Sequence, residues 1–361
     1  MKILFAGGGT AGHIEPALAV ARGWSQRHPQ DEIVFLGTES GLENSIVPAA
    51  GYSLLHIPKV KIARSLSPSL LKVPFQLFTS VRTTIKILKD VDCAIGFGGY
   101  VSAPLYCAAA LTRTPFVIHE QNARPGWANR IGAYLTPFLA VSYPVRSGAL
   151  AKASLTGLPL RADVLAVLAH SALDWRQARA DAKRSIGTRY GIDSTKPLIF
   201  IFGGSQGSVA INEIIQKSQS IFQSENCVVI HGVGKNNHVS ASSDFYKPLN
   251  YIDEMAELYL GADLLISRSG AVTCAEAHAL SKYSLFIPLP IGNGEQALNA
   301  KSLIAAGRAE LLEQRNFSKE WLSENLSRLL DRSASQSESG DASTAAAVDK
   351  IVDIIERAAQ R

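Results

Sequence analysis

The sequence is short of the residues that mark secreted, metal-bound or membrane-spanning chains. Its four cysteines, Cys93, Cys107, Cys227 and Cys274, show no CxxC spacing in 361 residues. That argues against a zinc site or a disulfide framework and for a reducing, cytoplasmic setting. No stretch reaches the roughly 18 uninterrupted apolar residues of a membrane span. The opening "MKILFA" is too short for a signal peptide and runs into glycines, so it reads as a buried strand. No DxD-type motif is positioned to hold a metal, and neither a metal nor a cofactor is expected.

Hydrophobic residues are plentiful, 47% of the chain, enough for two domains with a core each. Short apolar runs alternate with helical patterns. Candidate strands are Lys2–Ala6, Glu32–Leu36, Ala94–Phe97, Phe116–His119 and Phe138–Val141, then Leu198–Phe202, Cys227–His231, Leu264–Ser267 and Ser284–Ile287. Several are apolar on both faces, as parallel strands covered by helices are. A βαβ rhythm of this kind predicts an α/β fold. The rhythm restarts: "MKILFAGGGTAGH" and "PLIFIFGGSQGSVAIN" each read as strand, glycine loop and helix. Two Rossmann-like domains in tandem follow, with a boundary near Thr156–Asp163, a polar helix around Trp175–Arg189 and a loop or tether at Ser333–Asp341.

The first loop, Gly7 to His13, has GxGxxG spacing. Alone it admits a dinucleotide loop with Glu39 as the ribose acid, a tight turn that binds nothing, or a loop that aims His13 into a cleft. A second loop, "GFGGYVSAP", sets Gly98, Gly99 and Tyr100 after another strand, and His119, Glu120, Gln121 and Asn122 leave a third strand together. Ligands gather at such strand ends in open α/β sheets. In the second half, "FGGSQGS" presents backbone amides and Ser205 without a P-loop lysine, a pattern suited to a diphosphate. The segment after Arg268, Ser269 and Gly270 starts a helix carrying Thr273 and Glu276. Glu276 suits a ribose diol or simply the helix dipole. Gln296 and Asn299 share a face at the start of another helix, placed for sugar hydroxyls or for capping.

The ordered series "GGGTAGH", "GGYVSAP", "HEQN", "GLPLR", "GGSQG", "YIDEM", "RSGAVTCAE" and "EQALNA" resembles the MurG family, over about residues 1–330. That family adds N-acetylglucosamine to the lipid-linked muramyl-pentapeptide precursor of peptidoglycan. The resemblance implies a GT-B fold, two Rossmann-like domains with parallel sheets facing across a cleft. It implies an acceptor and membrane-associating domain over 1–160, a UDP-GlcNAc-binding domain over 161–335, and a C-terminal helix in 342–361 packing back on the first. It assigns the donor to Thr10, Ala11, Gly12, Asn122, Arg161, Ser205, Ile252, Ala271, Val272, Thr273, Glu276, Gln296 and Asn299. The acceptor falls to Gly98, Gly99 and Tyr100, with undecaprenyl-pyrophosphoryl-MurNAc-pentapeptide as substrate. An inverting reaction needs a general base; His13 is the candidate, with His119 and Glu120 as rivals, and Arg161 or Arg268 could face the leaving diphosphate. The chain departs from the family at Leu158, where Asn is usual, at Gly294-Glu295, where Asp-His is usual, and at Ala11, where Gly is commoner.

Charge is uneven. Residues 1–161 carry 16 Lys/Arg against 8 Asp/Glu, and the remainder 20 against 23. Residues 44–89 hold no acidic side chain but seven basic ones: Lys59, Lys61, Arg64, Lys72, Arg82, Lys86 and Lys89. Interleaved with Leu66, Leu70, Leu71, Val73, Phe75, Leu77 and Phe78, they make segment 59–89 either a solvated basic face or a peripheral contact with an anionic membrane. With a lipid-linked acceptor, the second reading places the protein on the cytoplasmic face of the bacterial membrane. No nucleic-acid module accompanies the basic run, so no nucleic-acid partner is expected. The rivals are another GT-B UDP-sugar enzyme (a glycolipid synthase or an epimerase), an NAD(P)-dependent oxidoreductase and a membrane-surface scaffold. The last two leave the second glycine-rich half without a task.

Overall fold

The computed structural model describes residues 1–60, 73–171, 174–335 and 339–360. Two compact units emerge: Met1–Arg161 together with Thr344–Arg361, and Ala162–Ser343.

The first unit is built on seven strands: β1 (Lys2–Ala6), β2 (Glu32–Gly37), β3 (Ser53–His56), β4 (Cys93–Gly96), β5 (Phe116–Glu120), β6 (Leu139–Val141) and β7 (Ser154–Leu155). They lie in the order β3-β2-β1-β4-β5-β6-β7, and every ladder is parallel. β1, β4 and β5 are buried on both faces, hence their continuous apolar runs. One face packs under the helix Ala11–Arg27 and the C-terminal helix Ala347–Ala359, sharing Ile14, Trp24, Ile351 and Ile355 with Phe5 and Phe35. The other packs under the helices Val73–Ile87 and Ser102–Thr112, with Leu105 and Tyr106 against Leu4 and Ile118. The C-terminal helix is clamped at its polar edge, where Arg27 reaches Asp349, Asp353 and Glu356, and His28 meets Glu356.

The second unit repeats the design with β8 (Leu198–Phe202), β9 (Val228–Gly232), β10 (Tyr246–Leu249), β11 (Leu264–Ser267), β12 (Tyr283–Phe286) and β13 (Ala309–Leu311). Its order is β10-β9-β8-β11-β12-β13, again parallel throughout. The helix Trp175–Tyr190 leads into it, capped at one end by the Asp174 carboxylate and closed at the other by Gly191 in the left-handed region. The α/β doubly wound architecture expected from the alternating runs is thus present in both halves. The strand order reverses between β1 and β4 in one sheet and between β8 and β11 in the other. Loops at such switch points border the crevice where ligands bind. No helix among the described residues is long and apolar enough to cross a membrane.

Candidate functional site

In the first unit, the loop after β1 (Gly7–Thr10) and the loop after β4 (Phe97–Val101) flank the switch point and interlock. A side chain on Gly99, whose φ is +81°, would collide with the Gly8 carbonyl, so only glycine lets these loops approach. Thr10 is the N-cap of the helix Ala11–Arg27 in extended backbone, yet its hydroxyl does not cap. It bonds instead to His13 Nδ1 at 3.0 Å. That leaves Nε2 facing the second loop, where a Cβ on Gly98 would lie 3.4 Å from it. Packing removes water from the imidazole and lowers its pKa to about 4, so the ring is neutral at neutral pH. Ala11 and Gly12 follow in the first turn, both partly exposed, while Gly98 faces His13, Gly99 the Gly8 carbonyl and Tyr100 Gly9.

The polar cluster at the end of β5 divides. Gln121 donates to the Phe97 carbonyl at 3.0 Å and ties the cluster to the second loop. Glu120 is buried, and four donors converge on it: Asn122 N–H at 2.8 Å, the Asn122 amide at 3.3 Å, Gly126 N–H at 3.0 Å and the Asn129 amide at 3.0 Å. Burial pushes its pKa up even against those donors. Both oxygens are engaged within the turn, which fits Glu120 to shaping Asn122 rather than to accepting a substrate proton. His119 lies against Phe97 and donates from Nε2 to the Gly157 carbonyl at 3.2 Å. Its Nδ1 is buried without a partner among the described residues. Burial lowers its pKa to about 4, and the ring is enclosed in the sheet edge rather than turned toward the glycine loops.

Two residues that sequence reading did not single out complete this site. Asn129, on the short helix Trp127–Gly132, accepts from Tyr106 at 2.7 Å and joins Glu120 to the Gly98 loop. Glu43, fully buried, accepts from both the first loop and Tyr100. Neither had a local signal, since Asn129 gains its meaning from Tyr106 and Glu43 from Gly9 and Tyr100, all distant in sequence.

The second unit carries the other glycine loop after β8. Gly207 has φ +75°, and a side chain there would overlap the Val233 carbonyl. Asn237 fastens the two loops by donating to the Gln206 carbonyl at 3.0 Å and the Val233 carbonyl at 2.7 Å. Ser205 sits partly exposed at the loop's crest. Across the switch point, Gly270 caps the helix Ala271–Ala279 without any side-chain bond. Ala271, Val272 and Thr273 form the first turn, where helix amides point toward an anion. Glu276 is buried one turn further on.

Arg268 is not turned to a diphosphate. Its guanidinium donates to the Ile287 and Pro288 carbonyls, to Ser208 Oγ at 2.7 Å and to Gln314 at 2.6 Å. It braces the loop after β11 against the cap of the helix Val209–Lys217. Asn299 is buried and donates to the Ser269 carbonyl at 3.3 Å, holding that same loop. Gln296 accepts from Leu289 N–H at 2.9 Å. Ile252 is buried against Gly232 at the end of β9. Leu158 is buried in the first unit. Gly294 occupies the left-handed region ahead of Glu295, and Glu295 exchanges hydrogen bonds with Asn293. Arg161 ends the longer segment of the first unit.

Comparison with known proteins places these sites in context. Residues 3–136 match the glycosyltransferase family 28 N-terminal domain, and residues 198–357 the family 28 C-terminal domain. A protein of Thermobifida fusca is 41% identical over 94% of this chain and 89% of its own length. It is named UDP-N-acetylglucosamine--N-acetylmuramyl-(pentapeptide) pyrophosphoryl-undecaprenol N-acetylglucosamine transferase. The crystal structure of Acinetobacter baumannii MurG superposes with a TM-score of 0.69 at 26% identity, covering 99% of both chains. A UDP-GlcNAc 2-epimerase from Neisseria meningitidis, solved with UDP-GlcNAc, superposes with a TM-score of 0.65 over 99% of this chain and all of that one. At 14% identity it shares the fold alone.

Proposed function

The chain belongs to the MurG family within the family 28 glycosyltransferases, and from that membership we infer that it moves N-acetylglucosamine from UDP-GlcNAc to a lipid-linked MurNAc-pentapeptide. The product is the β-1,4-linked disaccharide lipid that serves peptidoglycan synthesis. The fold is GT-B. The epimerase and oxidoreductase readings lose their support: the first rests on fold likeness alone, and the second leaves the Ser205 and Gly270 loops unexplained.

One observation carries the chemistry: His13, locked by Thr10 through Nδ1, presents Nε2 at the junction of two interlocked glycine loops. The donor sugar is α-linked and the product β-linked, so a single in-line displacement by the acceptor 4-hydroxyl is required. In the tautomer that donates Nδ1–H to Thr10 Oγ1, Nε2 carries the lone pair that takes the hydroxyl proton. Such general-base help is worth about 10²–10⁴-fold. Arrival of a diphosphate-bearing acceptor would raise the depressed imidazole pKa toward the working range, because a nearby anion favours the protonated ring. In the second unit the bare N-terminus after Gly270, with Ser205, receives the donor diphosphate. Glu276 takes the ribose, Ile252 the uracil by its main chain, and Gln296 the sugar. Asn299 acts through the Ser269 loop it holds.

The membrane is the second partner. Phe75 and Phe78 are 75% and 65% exposed on a helix whose buried face carries Ser80 and Thr84. Those hydroxyls bond to main-chain carbonyls, Ser80 to Pro58 and Thr84 to Ser80. Val81 and Ile85 of the same helix pack on the core, so the exposed pair, with Arg82, Lys86 and Lys89 continuing its stripe, suits a peripheral contact with anionic lipid. Lys61, Arg64, Leu66, Leu70, Leu71 and Lys72 lie outside the described residues. The deciding experiment is a transfer assay with UDP-GlcNAc and the lipid-linked muramyl acceptor, run beside UDP-GalNAc, UDP-glucose and NAD in a thermal-shift series. No disaccharide product, or stabilisation by NAD alone, overturns the assignment.

A further inference from the structure

Glu43 opens the seven-residue helix Glu43–Ala49, a position where a glutamate ordinarily faces solvent and the helix dipole. Here it is fully buried, with no cation among its hydrogen-bond partners in the described residues. Its Oε2 accepts from Gly9 N–H at 3.1 Å. Its Oε1 accepts from Thr38 N–H at 3.1 Å, from the Thr38 hydroxyl at 3.3 Å and from the Tyr100 hydroxyl at 3.1 Å. The carboxylate thus joins three segments: the loop after β1, the loop after β2 and the loop after β4.

The surroundings are shaped to admit it. A side chain on Gly41 would overlap the carboxylate, and one on Gly37 would fall 2.6 Å from its Cγ. Lys59 lies over the Tyr100 ring at 4.7 Å from the centroid and donates to the Ser40 carbonyl, closing the cluster from outside. Burial raises the carboxyl pKa, but the Gly9 and Thr38 amides and Tyr100 outweigh it, so the group stays below its ordinary value and charged.

We propose that Glu43 is a positioning residue that sets the two glycine loops around His13 for the acceptor. It fixes Gly9, immediately before Thr10, and Tyr100, two residues after the Gly98 that faces the imidazole. Each loop is therefore held beside the segment that contacts His13. A charged acceptor is needed because four donors meet at one point; a neutral amide would turn an N–H toward another N–H. The inference rests on the transferase reading given above and adds a residue outside the glycine motifs to it.

The test is Glu43→Gln, with Tyr100→Phe and the double variant. Steady-state transfer is measured against acceptor concentration, UDP-GlcNAc affinity by calorimetry, and amide hydrogen exchange across residues 7–12 and 97–101. Glu43→Gln should lower kcat/KM for the acceptor by about tenfold or more, the scale of one lost charged hydrogen bond. Donor Kd should stay within about twofold, and exchange should rise in both loops while the sheet strands stay protected. The double variant should cost less than the product of the singles, since they share a bond. Wild-type acceptor kinetics in Glu43→Gln overturn the proposal, as does a loss that matches only a fall in folded fraction and donor binding. Absence of transfer by the unmodified protein would instead overturn the functional reading on which the proposal stands.

Discussion

His13 keeps one ring nitrogen engaged and the other available, and this asymmetry is what a general base needs. Replacing it with alanine removes the proposed base but leaves the glycine loops, whose interlock depends on Gly9, Gly99 and Glu43. Turnover of His13→Ala should therefore fall by about 10²-fold or more, with UDP-GlcNAc affinity within about twofold, as read by initial rates and calorimetry. Near-normal turnover removes His13 from the role. A glycine-rich strand–helix junction ending in His is a local pattern, so His13 was legible in the sequence. Glu120 was equally visible in "HEQN", but its part was not. Its partners Gly126 and Asn129 sit six and nine residues on, and only folding turns a candidate base into the centre of a turn. Glu43 carried no signal at all, because its meaning depends on Tyr100, 57 residues away.

The elements that sequence periodicity missed are β3, β7, β10 and β13, and these are the four edge strands of the two sheets. Edge strands are short and covered on fewer sides, so they lack the two-faced apolar run that betrays a central parallel strand. β3 reads Ser-Leu-Leu-His and β10 contains Pro248, and neither is buried along its whole length. The C-terminal helix shows the opposite case. Its stripe Val348, Ile351, Val352, Ile354, Ile355 was plain, but which core it filled was not, since sequence order alone does not return the chain to the first sheet. Ile351 and Ile355 are fully buried there. Ile351→Ala or Ile355→Ala should each destabilise the first unit by about 2–5 kcal/mol, read as a lowered denaturation midpoint with the second unit's transition unmoved. The helix Val73–Ile87 yields a different expectation. Its exposed phenylalanines do not pack on the sheet, so Phe75→Ser with Phe78→Ser should leave the melting temperature unchanged. Flotation with anionic vesicles should drop several-fold, and raised salt should weaken what remains. Unaltered flotation removes this helix from the proposed membrane contact.

At the scale of the molecule, the two units share a design and a pH liability. Each buries a neutral histidine in its sheet: His119 at the end of β5 and His231 in β9, both with no exposed surface. His119 donates from Nε2 to the Gly157 carbonyl and leaves Nδ1 bare. His231 accepts from the Tyr246 hydroxyl at 2.8 Å and donates to Asn212 at 3.1 Å. His119 has no acceptor among the described residues for a second proton at Nδ1, His231 gains one only if the Tyr246 hydroxyl turns round, and desolvation lowers their pKa values to about 4 and about 3. An unfolded chain titrates its imidazoles near 6.5. Between 6.5 and those lower values the unfolded state binds a proton that the folded state refuses, so stability rises with pH across that window. It is fully present above 6.5 and is lost on acidification, at up to about 1.4 kcal/mol per pH unit for each histidine. Denaturation midpoints taken at pH 7, 6 and 5 should therefore fall for both units. His231→Gln, which keeps an amide donor to Asn212, should flatten the slope for the second unit while leaving that of the first. A slope unchanged by that substitution would show that other groups set the acid limit, and His231 would then be a packing residue without a part in it.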